Sequence, residues 1–323
     1  MTATTPQPAT PASGDGATPV PPSGDQHELR HGDHIVTVVE VGGGVRDYRV
    51  GDVGVLDGYA VDEMCTGARG QTLVPWPNRI AGGAYTFDGE SYQLSLTEPE
   101  KHNAIHGLLR WHRWSCDHRT DASVVLSCRL HPQPGYPFTL DVRNEYTLDG
   151  GGLTVRTSAT NVGDRRCPYA LGFHPYLSAG LDRIDPAVVR IPAATYLPTD
   201  DRGIPVGRSA VAGTEYDFRA ARPVGDTQVD NTYTDLERDA DGLAAVSLEA
   251  GDGRTVALWL DRSFDYVEIF TGDTLPEPHK RRTGLGVEPM TAPPDAFATG
   301  TGLLVLEPGD TATTSWGIRV TGF

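Results

Sequence analysis

Thr139-Leu140-Asp141-Val142-Arg143-Asn144-Glu145-Tyr146-Thr147-Leu148 is the stretch that decides the fold. Leu140, Val142, Tyr146 and Leu148 fall on one face of a period-two repeat, the pattern of a strand with one side on a core. Asp149-Gly150-Gly151-Gly152 follows, and its glycines supply the positive φ values of a tight reversal. Leu153-Thr154-Val155-Arg156-Thr157-Ser158-Ala159 then alternates again, so residues 139–159 predict a β-hairpin. Residues 121–130 predict the strand before it, extending the hairpin to a meander with Cys128 as a small core residue.

Outward from the hairpin the same period recurs. Strands are predicted at residues 35–41, 48–56, 84–87, 187–191, 244–248, 255–260, 266–270, 302–306 and 311–320. Asp88-Gly89 predicts a second hairpin turn, leading into Tyr92-Gln93-Leu94, and Val45-Arg46-Asp47 a third. No segment sustains a 3.6-residue period; short helical turns are expected only at residues 78–82 and 293–298. With 38 glycines and 25 prolines marking turns, the expected class is all-β, a large antiparallel β-sandwich.

Residues 1–26 carry almost no large apolar side chain and cannot offset their chain entropy, so they predict a disordered tail. Residues 27–323 are expected to form one domain, with order starting near Glu28. The net charge of −16 opposes phosphate backbones, which argues against nucleic acid as a partner. No apolar run approaches the ~20 residues of a membrane span. The start lacks the charged and apolar regions of a secretory signal, and Cys65, Cys116, Cys128 and Cys167 form no C-x-x-C pair. The expectation is a cytoplasmic protein with free thiols and no structural zinc. Oligomeric state is left open.

Polar residues concentrate in five turn-like segments: Pro75-Trp76-Pro77-Asn78-Arg79-Ile80, Asn103-Ala104-Ile105-His106-Gly107-Leu108, Gly172-Phe173-His174-Pro175-Tyr176, Val229-Asp230-Asn231-Thr232-Tyr233 and Gly286-Val287-Glu288-Pro289. Each alone has a plain structural reading, such as a surface guanidinium, an Asx turn or a solvated strand end. Together they offer the planar donors and acceptors that sugar hydroxyls need, with Trp76, Trp111, Tyr176 and Tyr233 available to stack on a ring. Glu288 and His174 are a carboxylate and an imidazole, suited to moving a proton off one oxygen and onto another. Acidic surroundings are expected to raise the His174 pKa.

These residues resemble the aldose 1-epimerase (galactose mutarotase) family over about residues 53–323. The resemblance lies in the N-R-I-x-x-G-x-Y-x-F-x-G-x-x-Y-x-L run from Asn78 to Leu94, His106-Gly107, the G-F-H-P-Y of Gly172 to Tyr176, the D-x-x-Y of Asp230 to Tyr233 and the V-E-P of Val287 to Pro289. It implies a β-supersandwich and interconversion of the α- and β-anomers of an aldose. Glu288 would be the base at the anomeric hydroxyl and His174 the acid at the ring oxygen, with the two on opposite sides of the ring. His106 would bind the ring oxygen or a nearby hydroxyl; Arg79 and Asp230 would bind hydroxyls, and Asn78, Tyr176 and Trp76 would complete the sugar site. No metal or other cofactor is implied. Leu108 after Gly107, and Pro75-Trp76-Pro77 before Asn78, mark a divergent branch and leave the sugar undefined.

Three other patterns bear on function. His102, His106 and His112 complete no usual metal-ligand spacing. No helix pattern follows Gly42-Gly43-Gly44, so it is no phosphate loop. Lys280-Arg281-Arg282 is a solvated loop or an anion subsite, and the latter would favour a hexose 6-phosphate. A non-catalytic sugar-binding module would not need a matched acid and base, and a lyase or hydrolase on a related sandwich would differ in its products.

Overall fold

The structure, a computed structural model, describes residues 19–323. It is nearly all antiparallel strand, with one four-residue α-helix, Ala296–Thr299. Residues 1–18 of the expected tail lie outside the described residues. Order begins before Glu28: Gly24 N–H donates to Pro21 O, Ser23 is buried, and the first strand is Gln26–His31.

The hairpin predicted at residues 139–159 is the centre of the larger sheet. Leu140–Asp149 pairs in register with Gly152–Asn161, Tyr146 opposite Val155 and Leu148 opposite Leu153. Ser123–Leu130 adds on one side, completing the meander, and Thr311–Thr321 on the other. Nine strands line up in that sheet. A second sheet, on which the chemistry sits, runs Ser209–Ala210, Ala193–Leu197, Asp230–Leu236, Tyr266–Phe270, Leu285–Met290, Gly172–Phe173 and Thr72–Leu73, with Tyr176–Leu177 also paired to Leu285–Met290. The two sheets meet through apolar side chains: Phe173 and Trp316, one from each, have ring centroids 5.0 Å apart. One cluster of buried apolar residues draws on both and on the four-stranded sheet formed by residues 26–54. Buried polar side chains between the sheets bond to one another: Asn144 Nδ2 donates to Thr72 Oγ1 at 2.9 Å, and Thr157 Oγ1 donates to Asn144 Oδ1 at 2.7 Å. No helix among the described residues is long and apolar enough to cross a membrane.

Several local expectations change. Residues 78–82 are not helical: Asn78 has φ 51°, and Arg79–Ala81 is a strand paired with Asn103–Ile105. The second helical turn is present but starts at Ala296, after Asp295 at φ 64°. Val45-Arg46-Asp47 is strand, not turn; the reversal lies at residues 40–44, where Val39 N–H donates to Gly44 O. The run predicted at residues 48–56 is two strands, Val45–Val50 and Val53–Gly54, split where Gly51 takes φ 56°. The four cysteines are free, with Cys128 buried as expected.

Candidate active site

Glu288 does not lie in a turn. It is the fourth residue of Leu285–Met290, a strand buried along its whole length. The pleat puts Gly286, Glu288 and Met290 on one face, with Val287 packed in the core beneath. Opposite them across the ladder stand Phe270, Glu268 and Tyr266. On the other flank Gly286 pairs with Tyr176 and Met290 with Gly172, so residues 173–175 bulge over the Glu288 face. Gly172 is required there, since a Cβ would come 2.6 Å from the Cβ of Pro77.

That bulge delivers His174. Its Nε2 lies 3.1 Å from Glu288 Oε1, and both side chains are almost fully buried. The His174 ring stacks on Tyr176 at 5.0 Å and 18°, and packs edge-on against His106 at 5.2 Å. Tyr176 is held in turn: its hydroxyl donates to Gly67 O, and the Arg69 guanidinium lies 4.6 Å from its ring centroid. Arg69 itself pairs with Asp57 at 3.1 Å.

His106 and Asn78 clasp each other. His106 N–H donates to Asn78 O at 2.9 Å, and Asn78 N–H donates to His106 Nδ1 at 3.2 Å. An accepting Nδ1 places the ring proton on Nε2, which is then a donor. The clasp uses two successive left-handed residues, His106 at φ 61° and Gly107 at φ 69°, and a Cβ on Gly107 would come 2.2 Å from Val74 O. The His-Gly pair is thus a backbone requirement as well as a chemical one.

A cavity of about 310 Å³ opens above these groups. Asn78, Arg79, His106, His174, Tyr176, Asp230 and Glu288 all line it, so seven of the eight residues singled out from the sequence converge. The eighth, Trp76, does not line it: its indole is buried edge-on against Phe297, 5.6 Å away. Tyr233 is buried with its hydroxyl on Tyr216 O, and Trp111 is exposed; neither lines the cavity. The apolar wall comes instead from Phe270 and Leu275. Arg79 is braced by a two-point bond to Glu98, at 2.8 and 2.9 Å.

Sequence reasoning missed three groups. Glu98 lines the cavity and orients Arg79. Glu268 is buried directly opposite Glu288 and accepts a hydrogen bond from Thr232 Oγ1. Arg110 lines the cavity, and among the described residues its guanidinium has no hydrogen-bonded or ion-paired partner; the Trp111 ring is 5.9 Å away. Lys280-Arg281-Arg282, by contrast, is no anion subsite. Arg282 is buried on Asp185 and Asp273, Arg281 bonds Leu275 O and Lys280 bonds Gly58 O.

The electrostatics also differ from expectation. Burial pushes the His174 pKa down to about 3, and the nearby charges of Arg110, Arg69 and Arg79 push the same way. Its environment is therefore cationic and desolvated rather than acidic. Burial lowers His106 as well, and the proximity of His174 adds to it. Burial drives Glu288 well above the ordinary carboxylate range, helped by Glu268 and Asp230. Charge is thus disfavoured on both His174 and Glu288. His174 Nδ1 and Glu288 Oε2 have no hydrogen-bond partner, which suits a site waiting for polar groups.

Possible ligand atoms of His106, His174 and Glu288 fall within 4.8 Å of one another. One atom of each is engaged within the protein, His174 Nε2 with Glu288 Oε1 and His106 Nδ1 with the Asn78 N–H. His102 and His112 are exposed and do not join His106.

The pattern that defines the family described as Aldose 1-epimerase matches residues 25–319. The chain is 34% identical over 289 residues to the uncharacterized protein YihR of Escherichia coli (strain K12), covering 89% of this chain and 90% of that one. It is 32% identical over 197 residues to the aldose 1-epimerase of the same organism, covering 58% and 55%. The solved structure of a GalM/aldose epimerase homologue from C. elegans superposes with a TM-score of 0.82 at 18% identity, over 92% of this chain and 98% of that one.

Proposed function

The chain belongs to the aldose 1-epimerase family, and from that premise we propose that it interconverts the α- and β-anomers of an aldohexose by general acid–base ring opening and reclosure. The observation that carries this reading is the His174–Glu288 contact in a sugar-sized cavity lined by charged and amide groups. At 3.1 Å the two groups do not flank a ring from opposite sides, as first expected. They address one edge of it. That edge is C1, because C1 bears both oxygens involved in proton transfer, the anomeric O1 that loses a proton and the ring O5 that gains one.

In the forward step the pair reacts from the tautomer with the proton on His174 and Glu288 ionised: Glu288 takes the O1 proton, the C1–O5 bond breaks, a C1=O1 carbonyl forms and O5 receives the His174 proton. Rotation about C1–C2 turns the other carbonyl face toward O5. Reclosure reverses both transfers and returns the proton to His174. Because the pair begins and ends with one proton, neither group exchanges protons with solvent during turnover. His106, with its proton on Nε2, donates to the ring oxygen or a neighbouring hydroxyl. Arg79, steadied by Glu98, and Asp230, with Asn78, hold the remaining hydroxyls. Tyr176 keeps the His174 ring in plane. Each positioned acid or base contributes on the order of 10²–10⁴-fold. The test is anomer exchange, followed by polarimetry on freshly dissolved α-sugars.

A second reading, an aldose bearing an anionic group such as a hexose 6-phosphate, is favoured by one observation: the unpaired guanidinium of Arg110 in the cavity. Burial already lowers its pKa from the ordinary arginine value, and an incoming anion would relieve that cost. Comparing kcat/KM for free and phosphorylated hexoses tests it.

A further inference from the structure

The geometry points to Glu268 as a positioning residue that stays protonated during turnover, presenting a neutral carboxyl to Glu288 so that only one negative charge at a time need exist on that row of the sheet. The inference rests on the anomer-exchange reading above and concerns a group that the mechanism so far does not use.

Glu268 and Glu288 are direct cross-strand partners between Tyr266–Phe270 and Leu285–Met290. They point to the same face, and side chains so placed have Cβ atoms about 4.5–5.5 Å apart. Both are buried, with relative exposures of 4% and 3%. Two buried carboxyls this close cannot both ionise, so the row must hold a proton. When Glu288 is the ionised member, beside the His174 imidazole at 3.1 Å, that proton falls to Glu268, and the groups facing Glu268 favour it there. From the strand Asp230–Leu236, Thr232 stands directly opposite and donates its hydroxyl to Glu268 Oε2. Asp230, on the same strand and face, shares a hydrogen bond with Glu268 that favours the protonated form, and its charge acts the same way. From Leu285–Met290 comes only Glu288. On its own strand the same-face neighbours are Tyr266 and Phe270. The nearest cation acting on it is Arg79, and that is already neutralised by Glu98.

Glu268 therefore has one hydroxyl donor, two carboxylate neighbours and no cation of its own. Burial first, then Asp230, holds its pKa up to about 8. Glu268 does not line the cavity, so it touches no substrate and acts through Glu288. While protonated it leaves Glu288 free to alternate between carboxylate and acid as O1 loses and regains its proton. Once ionised it strengthens the hold of Glu288 on that proton, which then does not return to O1.

Glu268→Gln copies the neutral carboxyl. The expected result is kcat at neutral pH within about threefold of the unmodified protein, with the alkaline fall of kcat/KM, centred near pH 8 in the unmodified protein, shifted upward by at least about one pH unit or gone. A pH profile superimposable on the unmodified one assigns Glu268 a structural role only and overturns the inference. So does a fall of about a hundredfold or more at neutral pH in a folded variant, since the ionised form would then be the working one. Infrared difference spectra of the unmodified protein and of Glu288→Gln supply a reading independent of turnover. In Glu288→Gln, where Glu288 cannot contribute, a protonated-carboxyl band should vanish as pH rises through about 8, and absence of that band there contradicts the inference. If the unmodified protein exchanges no anomers at all, the functional reading fails while the infrared result still decides the protonation of Glu268.

Discussion

The imidazole of His174 and the carboxyl of Glu288 are in contact, Nε2 to Oε1, at 3.1 Å, although one sits in a loop and the other at the middle of a strand. The contact is built by the sheet itself. The strands Gly172–Phe173 and Tyr176–Leu177 pair with the same strand that carries Glu288, so the intervening residues have nowhere to go but over it.

Gly107→Ala should disturb the site from outside it. A side chain there meets Val74 O and must adopt φ 69°, a cost of order 1–3 kcal/mol in strained backbone alone. The His106–Asn78 clasp would open with it. The expected outcome is a lower Tm by calorimetry together with a raised KM; unchanged values of both would show that the turn tolerates a side chain.

Arg79→Ala should act on binding and stability together. Glu98 would lose two charge-assisted bonds while remaining mostly buried, for a loss on the order of 2 kcal/mol in chemical denaturation. KM for any accepted aldose should rise more than kcat falls. If instead kcat alone collapses, Arg79 takes part in the chemical step and not in hydroxyl binding.

Arg110→Met tests the second substrate reading. If the natural substrate is anionic, kcat/KM for a hexose 6-phosphate should fall at least about tenfold, while that for the free hexose stays level or improves as the desolvated charge is removed. Equal effects on both sugars would remove the anion from the account.

Stability should follow pH through Glu268. Its folded pKa of about 8 stands above its ordinary value of 4.5, so the fold binds its proton more tightly than the unfolded chain does. The stabilisation from that group is complete below the ordinary value and is lost as pH rises through about 8. His174, depressed to about 3, works with the opposite sign: its contribution is present above its ordinary 6.5 and is lost as pH falls through about 3. Comparing Glu268→Gln with the unmodified protein cancels the His174 effect. The variant should gain Tm relative to the unmodified protein between about pH 5 and pH 8. A Tm difference independent of pH would mean that the Glu268 proton is not held by the fold.

The larger sheet was legible because its strands are long and one face of each is solvated: residues 139–159 alternate cleanly for that reason. The smaller sheet was not. Gly172–Phe173 and Thr72–Leu73 contribute two residues each, too few for any period to register. Leu285–Met290 is buried on both faces and contains Pro289, which on its own argues against an interior strand, so Glu288 read as a turn residue. Seven of the eight residues singled out from the sequence nonetheless line one cavity, since residue type and order are legible whatever the local backbone does. Side-chain direction was the blind spot. Trp76 is a near neighbour of Asn78 in the chain yet points into the core, and Arg110 lines the cavity from a segment with no distinguishing pattern. Glu268 left a faint signal, a lone carboxylate in the apolar run Tyr266-Val267-Glu268-Ile269-Phe270, whose meaning depends on what stands across the ladder.

The most direct test of the central claim is anomer exchange by Glu288→Gln and His174→Asn beside the unmodified protein, with sugar binding measured in parallel by calorimetry. The account predicts that each variant still binds the aldose while its exchange rate falls by about 10²–10⁴-fold. Exchange at unmodified rates in both variants, in protein that is folded and sugar-bound, would contradict it.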